Sequence, residues 1–146
     1  MKAQSLKVIC QNLDRDNTHP VYFLLGDDYF LQEYFIKKLE KTIFEDDSSH
    51  RELLIPDDLS QQEIVDRLHQ ADLFSSNRLF ILRNPQQLKG KPREEMLQFC
   101  AHPTPNHFLV IIMDDFYGKL KIVDALQKKL MPIDVRKPFE NDLRTW

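Results

Sequence analysis

Glycine is scarce in this chain, with three in 146 residues. Tight φ-positive turns and close backbone approaches depend on glycine, so its scarcity argues against a loop-rich or all-β protein. Cysteine is nearly absent too: Cys10 and Cys100 stand alone, 90 residues apart. Two isolated cysteines exclude a disulfide scaffold and any CxxC-type metal knuckle. Both fall in helical patterns and are read as free, mostly buried thiols of a reducing compartment, placing the protein in the cytoplasm. No apolar run approaches the ~20 residues needed to cross a bilayer. Met1-Lys2-Ala3-Gln4-Ser5 leads into an amphipathic stretch, not a secretory signal. An excess of positive charge is missing as well. The net charge is −3, which discourages a stand-alone nucleic-acid binder. Internal repeats and low-complexity tracts are absent.

The charge that is present is unevenly placed. Residues 1–73 hold 15 acids against 8 bases, and residues 74–146 hold 8 acids against 12 bases. Such polarity suits a part that docks against other proteins, although a solvated surface with chance asymmetry reads as well. The length suits one domain, expected over residues 1–138, with 139–146 beginning a connection to a further domain.

Strand and helix signals alternate. Residues 5–13 read as a short first helix with Leu6, Ile9, Cys10 and Leu13 on one stripe. Val21–Leu25 is the first strand, and the helix after it runs over 29–44 on the ladder Leu31, Phe35, Leu39, Ile43. Glu52–Ile55 is a short second strand. Ser60 caps the next helix, with Glu63 completing a capping box. Arg78–Arg83 is strand three, and Pro92–Cys100 a helix with proline in its first turn. His107–Met113 is strand four, the most apolar run, as expected of a strand buried on both faces. Lys119–Leu130 is a helix and Ile133–Val135 a weak fifth strand. This alternation predicts a doubly wound α/β fold: a five-stranded, mainly parallel sheet flanked by helices.

The junction Val21-Tyr22-Phe23-Leu24-Leu25-Gly26-Asp27-Asp28 has the frame of a phosphate-binding loop, G-x-x-x-x-G-K-[ST] after a strand. With Gly26 as the first glycine, the second falls on Leu31, the lysine on Gln32 and the hydroxyl residue on Glu33. Gln32 brings no charge to a phosphate, and Glu33 has the wrong sign for a magnesium-bound hydroxyl. Asp27 and Asp28 suit the helix dipole but repel an anion. The loop is degenerate. Asp114 and Asp115 end an apolar strand like magnesium ligands, yet have little to coordinate without that lysine. A P-loop-type nucleotide-binding enzyme is therefore the alternative reading. A degenerate phospho-receiver domain is weaker still. Asp27-Asp28 and Lys137-Pro138 mimic that family, but strand three ends Leu82-Arg83-Asn84, without a phosphoacceptor. His102 and His107 flank two prolines with no partner at ligand spacing. They read, with His19 and His69, as ordinary surface histidines, and no metal site is expected.

Gln70-Ala71-Asp72-Leu73-Phe74 follows the capped helix. Taken alone, Leu73 and Phe74 read first as a staple of the helix end to the sheet. An exposed Leu-Phe pair can instead anchor in a partner's apolar pocket. The pentapeptide resembles the bacterial sliding-clamp-binding motif Gln-Leu-Ser/Asp-Leu-Phe, departing from it at Ala71. The whole chain resembles the N-terminal domain of the delta subunit of the bacterial DNA polymerase III clamp loader. The residues that carry this are Val21–Asp28 with Leu31-Gln32-Glu33, Leu73-Phe74 followed by Arg78-Leu79, and Leu143-Arg144-Thr145-Trp146 as the exit to the next domain. The resemblance implies an AAA+-like domain that has lost nucleotide hydrolysis. It implies a non-catalytic subunit of a DNA-directed DNA polymerase (nucleotidyltransferase) holoenzyme, with no cofactor. Its partners would be the sliding clamp, met through Gln70, Asp72, Leu73 and Phe74, other clamp-loader subunits through a further C-terminal domain, and primed DNA indirectly. Its role would be to bind the clamp and help open it for loading during replication.

Overall fold

The computed structural model describes residues 3–44, 51–56, 59–70, 76–114 and 121–136. In chain order the elements are β1 Gln4–Ser5, α1 Leu6–Asn12, β2 Val21–Leu25, α2 Tyr29–Ile43, β3 Arg51–Leu54 and α3 Gln61–His69. They continue with β4 Arg78–Arg83, a 3₁₀ turn Pro85–Gln87, α4 Gly90–Ala101, β5 His107–Met113, α5 Lys121–Gln127 and β6 Ile133–Asp134. Among the described residues the strands form one sheet in the order β1-β6-β2-β5-β4-β3. Every pairing in it is parallel.

The parallel α/β architecture is the expected one, with one more strand. Gln4–Ser5 adds a sixth at the sheet edge, pairing with Ile133 and Asp134. Two residues leave no alternation to detect, and the Gln4 N–H bond to Pro132 O is made across the whole domain. Helix α4 starts at Gly90, two residues before Pro92. Arg93 donates its Nε–H to Leu88 O at 2.8 Å, tying the start of α4 to the preceding turn. The first residues of the expected 119–130 helix, the polar stretch 45–49 and the Lys137-Pro138 pair lie outside the described residues.

The strands alternate between two cores. Val21, Phe23 and Leu25 of β2, Phe80 and Leu82 of β4, and Leu109, Ile111 and Met113 of β5 meet the apolar faces of α3, α4 and α5. Tyr22 and Leu24, Leu79 and Ile81, and Val110 and Ile112 point the other way, to α1 and α2. Side chains alternate across a strand, so a sheet with helices on both faces needs continuous apolar runs. That is why β2, β4 and β5 are the most buried strands.

Cys10 and Cys100 are free thiols. Burial pushes the Cys10 thiol up to about 11 against the opposing charge of Lys38. It pushes Cys100 up to about 12 against that of Lys129.

Candidate functional site

Gly26 ends β2 with φ +142, a conformation open to little but glycine. Its need is steric as well: a Cβ there would press on Val135 C and lie 2.5 Å from Arg136 N. The segment after β6 crosses directly over the glycine. Val135 N–H donates to Leu25 O at 3.0 Å, and Asp28 N–H donates to Val135 O at 3.0 Å.

The turn from strand to helix is only Gly26-Asp27-Asp28. Tyr29 and Phe30, positions four and five of the phosphate-loop pattern, already belong to α2. A working loop aims its backbone N–H groups at phosphate. Here those of Gly26, Asp28, Leu31 and Gln32 are engaged inside the protein. Gly26 N–H donates to Met113 O at 3.0 Å, Leu31 N–H donates to the Asp28 carboxylate at 3.0 Å, and Gln32 N–H donates to Asp28 O at 3.1 Å. Asp28 thus caps α2 with its own negative charge, the stabilising arrangement for a helix N-terminus.

Gln32, at the lysine position, is buried at 1% exposure. Its Nε2 donates to Gly26 O at 2.8 Å and to Asp114 Oδ1 at 3.2 Å, and its Oε1 accepts from Arg83 Nη1 at 3.0 Å. β5 lies beside β2, which brings Asp114 across to Gln32. The Arg83 guanidinium, from the end of β4, stacks 5.2 Å over the Tyr29 ring. A lysine at position 32 would face this guanidinium; the neutral amide bonds to it instead. Glu33, at the hydroxyl position, turns away. Arg51 Nη1 donates to its two oxygens at 2.7 and 2.9 Å, and Arg51 Nη2 donates to Glu40 Oε1 at 2.6 Å. Burial works against the Arg51 charge, but the bonds to Glu40 and Glu33 outweigh it and raise its pKa. Arg83 and Arg51 were not anticipated from sequence. The one signal was a cationic residue at the end of a strand, which a solvated strand end explains equally well.

The other candidates separate. Gln70 is exposed and leaves α3 in extended backbone; Asp72, Leu73 and Phe74 lie outside the described residues, as does Asp115. Half-buried Asn84, not a carboxylate, follows β4 in a left-handed conformation with φ 59. His19, His69 and His102 are exposed. His107 is not the surface histidine expected, because it is buried at 1% exposure. Its ring meets Phe80 edge-on at 5.3 Å, and its Nδ1 lies 2.8 Å from Leu68 O. That acceptor is 39 residues away, which hid the burial from a reading of local pattern. Among the described residues no group of three or more His, Cys, Asp or Glu could hold a metal. No described helix is long and apolar enough to cross a membrane.

The family model described as "DNA polymerase III, delta subunit" matches residues 22–135. The chain belongs to the DNA polymerase III delta-subunit family. It is similar to DNA polymerase III subunit delta of Bacillus subtilis, 22% identical over 144 aligned positions that cover 88% of this chain and 41% of the relative. Among solved structures it is similar to the Bacillus subtilis DNA clamp loader delta protein, with a TM-score of 0.70 at 15% identity over 94% of this chain and 43% of that one. A DNA polymerase III gamma subunit-related protein from Thermotoga maritima shares the fold at a TM-score of 0.60 and 12% identity, covering 93% of this chain and 47% of that one. The chain thus spans about two fifths of the length of the delta relatives it matches. This delta-family chain shares the parallel α/β fold of those two structures, and the family match takes in the Gly26–Glu33 junction and residues 70–74.

Proposed function

We propose that this chain is the clamp-binding part of a clamp-loader delta subunit. It grips the sliding clamp through Leu73 and Phe74, flanked by Gln70 and Asp72, and helps open the ring for loading onto primed DNA while other subunits hydrolyse ATP. The observation that carries this reading is the family match over residues 22–135. The geometry around Gly26 supports its second half. Asp28 fills the anion position at the start of α2, and Gln32 is bonded to Gly26, Asp114 and Arg83 in place of a phosphate-binding lysine. Ring opening is a population shift: the subunit favours the open clamp only by binding it better than the closed one.

Clamp affinity and melting, measured on wild type and on Leu73→Ala/Phe74→Ala, test the first half. Paired anchors contribute about 2 kcal/mol each, so the double variant should bind roughly 1,000-fold more weakly with little change in melting. Early unfolding with normal affinity per folded molecule would instead assign the pair to the core. For the second half, calorimetric titration of Mg-ATP should give no binding in the micromolar range, and no phosphate should be released. Micromolar binding or steady turnover would favour a nucleotide-hydrolysing enzyme.

A further inference from the structure

Every strand pairing is parallel, so all the strands start at one edge of the sheet, and α3, α4 and α5 end there. At that edge the turn from α5 to β6 carries Lys128 and Lys129, both exposed. Other cations of the basic second half are engaged. Arg78 pairs with Glu52, Lys91 with Glu95 and Arg136 with Asp134. Arg83 donates to Gln32, and Arg93 to Leu88 O. Among the described residues Lys128 and Lys129 make no salt bridge.

Cations at a helix C-terminus complement its dipole, but that does not explain how firmly this turn is held. Lys128 N–H donates to Asp124 O at 3.2 Å, and Leu130 N–H to Leu126 O at 2.8 Å. Leu130 packs against the core. From the other side Gln4 N–H donates to Pro132 O at 2.7 Å, and Gln4 Nε2 to Met131 O at 2.9 Å. The two-residue strand β1 thus pins the turn from the far end of the chain. Between these anchors Met131 is 53% exposed, beside an open pocket that the two lysines help to line. A surface already fixed in the free protein loses little freedom on binding, and methionine adapts to irregular apolar partners.

The chain leaves α3 at Gln70 and enters β4 at Arg78 on this same edge. In the sheet order β6-β2-β5-β4, β6 stands three strand spacings from β4, about 15 Å. A standard interface covers about 800 Å² of each partner, roughly 30 Å across, so one footprint takes in both places.

We propose that the α5–β6 turn is a second contact with the sliding clamp: Lys128 and Lys129 meet an acidic patch of the ring, and Met131 an apolar neighbour of that patch. This rests on the reading of Gln70–Phe74 as the clamp contact. A phosphodiester backbone would also attract the lysines, but it gives Met131 nothing to meet, and the net charge of −3 opposes it. Charges at the rim of an interface act mainly on the rate of encounter.

The test measures clamp association and dissociation rates, primed-DNA binding and melting of the full chain. Lys128→Glu/Lys129→Glu should slow clamp association about tenfold at about 0.1 M salt, with the deficit fading by about 1 M. Dissociation should change less, and melting little, because both side chains are exposed. Lys89→Glu/Lys121→Glu makes the same change in net charge with two exposed lysines at the opposite edge of the sheet; it should slow association by no more than about twofold. Equal slowing by both pairs would assign the effect to net charge and overturn the proposal. So would wild-type clamp kinetics in Lys128→Glu/Lys129→Glu, and if primed-DNA binding fell at the same time the lysines would belong to a DNA contact. Either result leaves the clamp reading standing as long as Leu73→Ala/Phe74→Ala binds weakly. Wild-type affinity in Leu73→Ala/Phe74→Ala would remove the clamp reading and this second contact together.

Discussion

Gly26→Ala separates two reasons for a glycine at the end of β2. If the glycine served only an approaching phosphate, alanine would leave the free protein intact. The structure gives it an internal task. At φ +142 an alanine sits in a region that costs about 1–3 kcal/mol. Its Cβ would also press on Val135 C and lie 2.6 Å from Val135 O. Both are backbone atoms, held by the bonds of Val135 to Leu25 and Asp28, so no side chain can rotate aside. Overpacking of that kind costs a further 1–3 kcal/mol or so. Together the loss is about 2–6 kcal/mol, against a total stability of about 5–15 kcal/mol. Gly90→Ala is the internal control. Gly90 also has positive φ, at +59, but a Cβ there would meet nothing within 4 Å, so it should lose only the backbone penalty of about 1–2 kcal/mol. Urea unfolding of both variants, with wild type, reads the difference directly. In thermal melting, Gly26→Ala should fall by roughly 10 °C or more. A Gly26→Ala loss no larger than that of Gly90→Ala would refute the crowding by Val135 and Arg136.

Arg51→Leu should destabilise the domain by about 2–3 kcal/mol in urea, because it removes the guanidinium that the partly buried carboxylates of Glu33 and Glu40 share; a loss below about 0.5 kcal/mol would mean the three groups are effectively solvated. The two thiols predict a pH dependence. Their folded-state values of about 11 and 12 lie above the ordinary 9.0, so the native state holds its protons longer than the unfolded chain. The stability they contribute is complete below about pH 9 and is lost as pH rises through 11 to 12. At about pH 8 both should react slowly with a thiol reagent in the native protein and at once in denaturant; rapid native labelling would contradict the burial of Cys10 and the partial burial of Cys100.

The strands were legible because their signal is local and dense. Val21–Leu25 and His107–Met113 are unbroken apolar runs but for the histidine, and burial on both faces is the only arrangement that uses such runs fully. Asp28 and Ser60 were legible at the helix starts for the same reason, since a cap acts within one turn. Gln32 was legible only as a missing lysine. Its actual partners, Asp114 and Arg83, lie 82 and 51 residues away, and no spacing rule connects them. His107 was misplaced for a related reason: one polar residue at the mouth of a strand looks exposed until the end of α3 is brought against it. Gln4–Ser5 was missed because two residues carry no period.

The two cores on opposite sides of the sheet change what adjacency means in this chain. Phe23 and Leu24 are bonded neighbours, yet Phe23 packs with α3, α4 and α5 while Leu24 packs with α1 and α2. Phe80 and Ile81 divide in the same way. A substitution scan along β2, β4 or β5 is therefore two interleaved experiments, each reporting on one layer of helices. Consecutive positions report on different layers, and every second position reports on the same one.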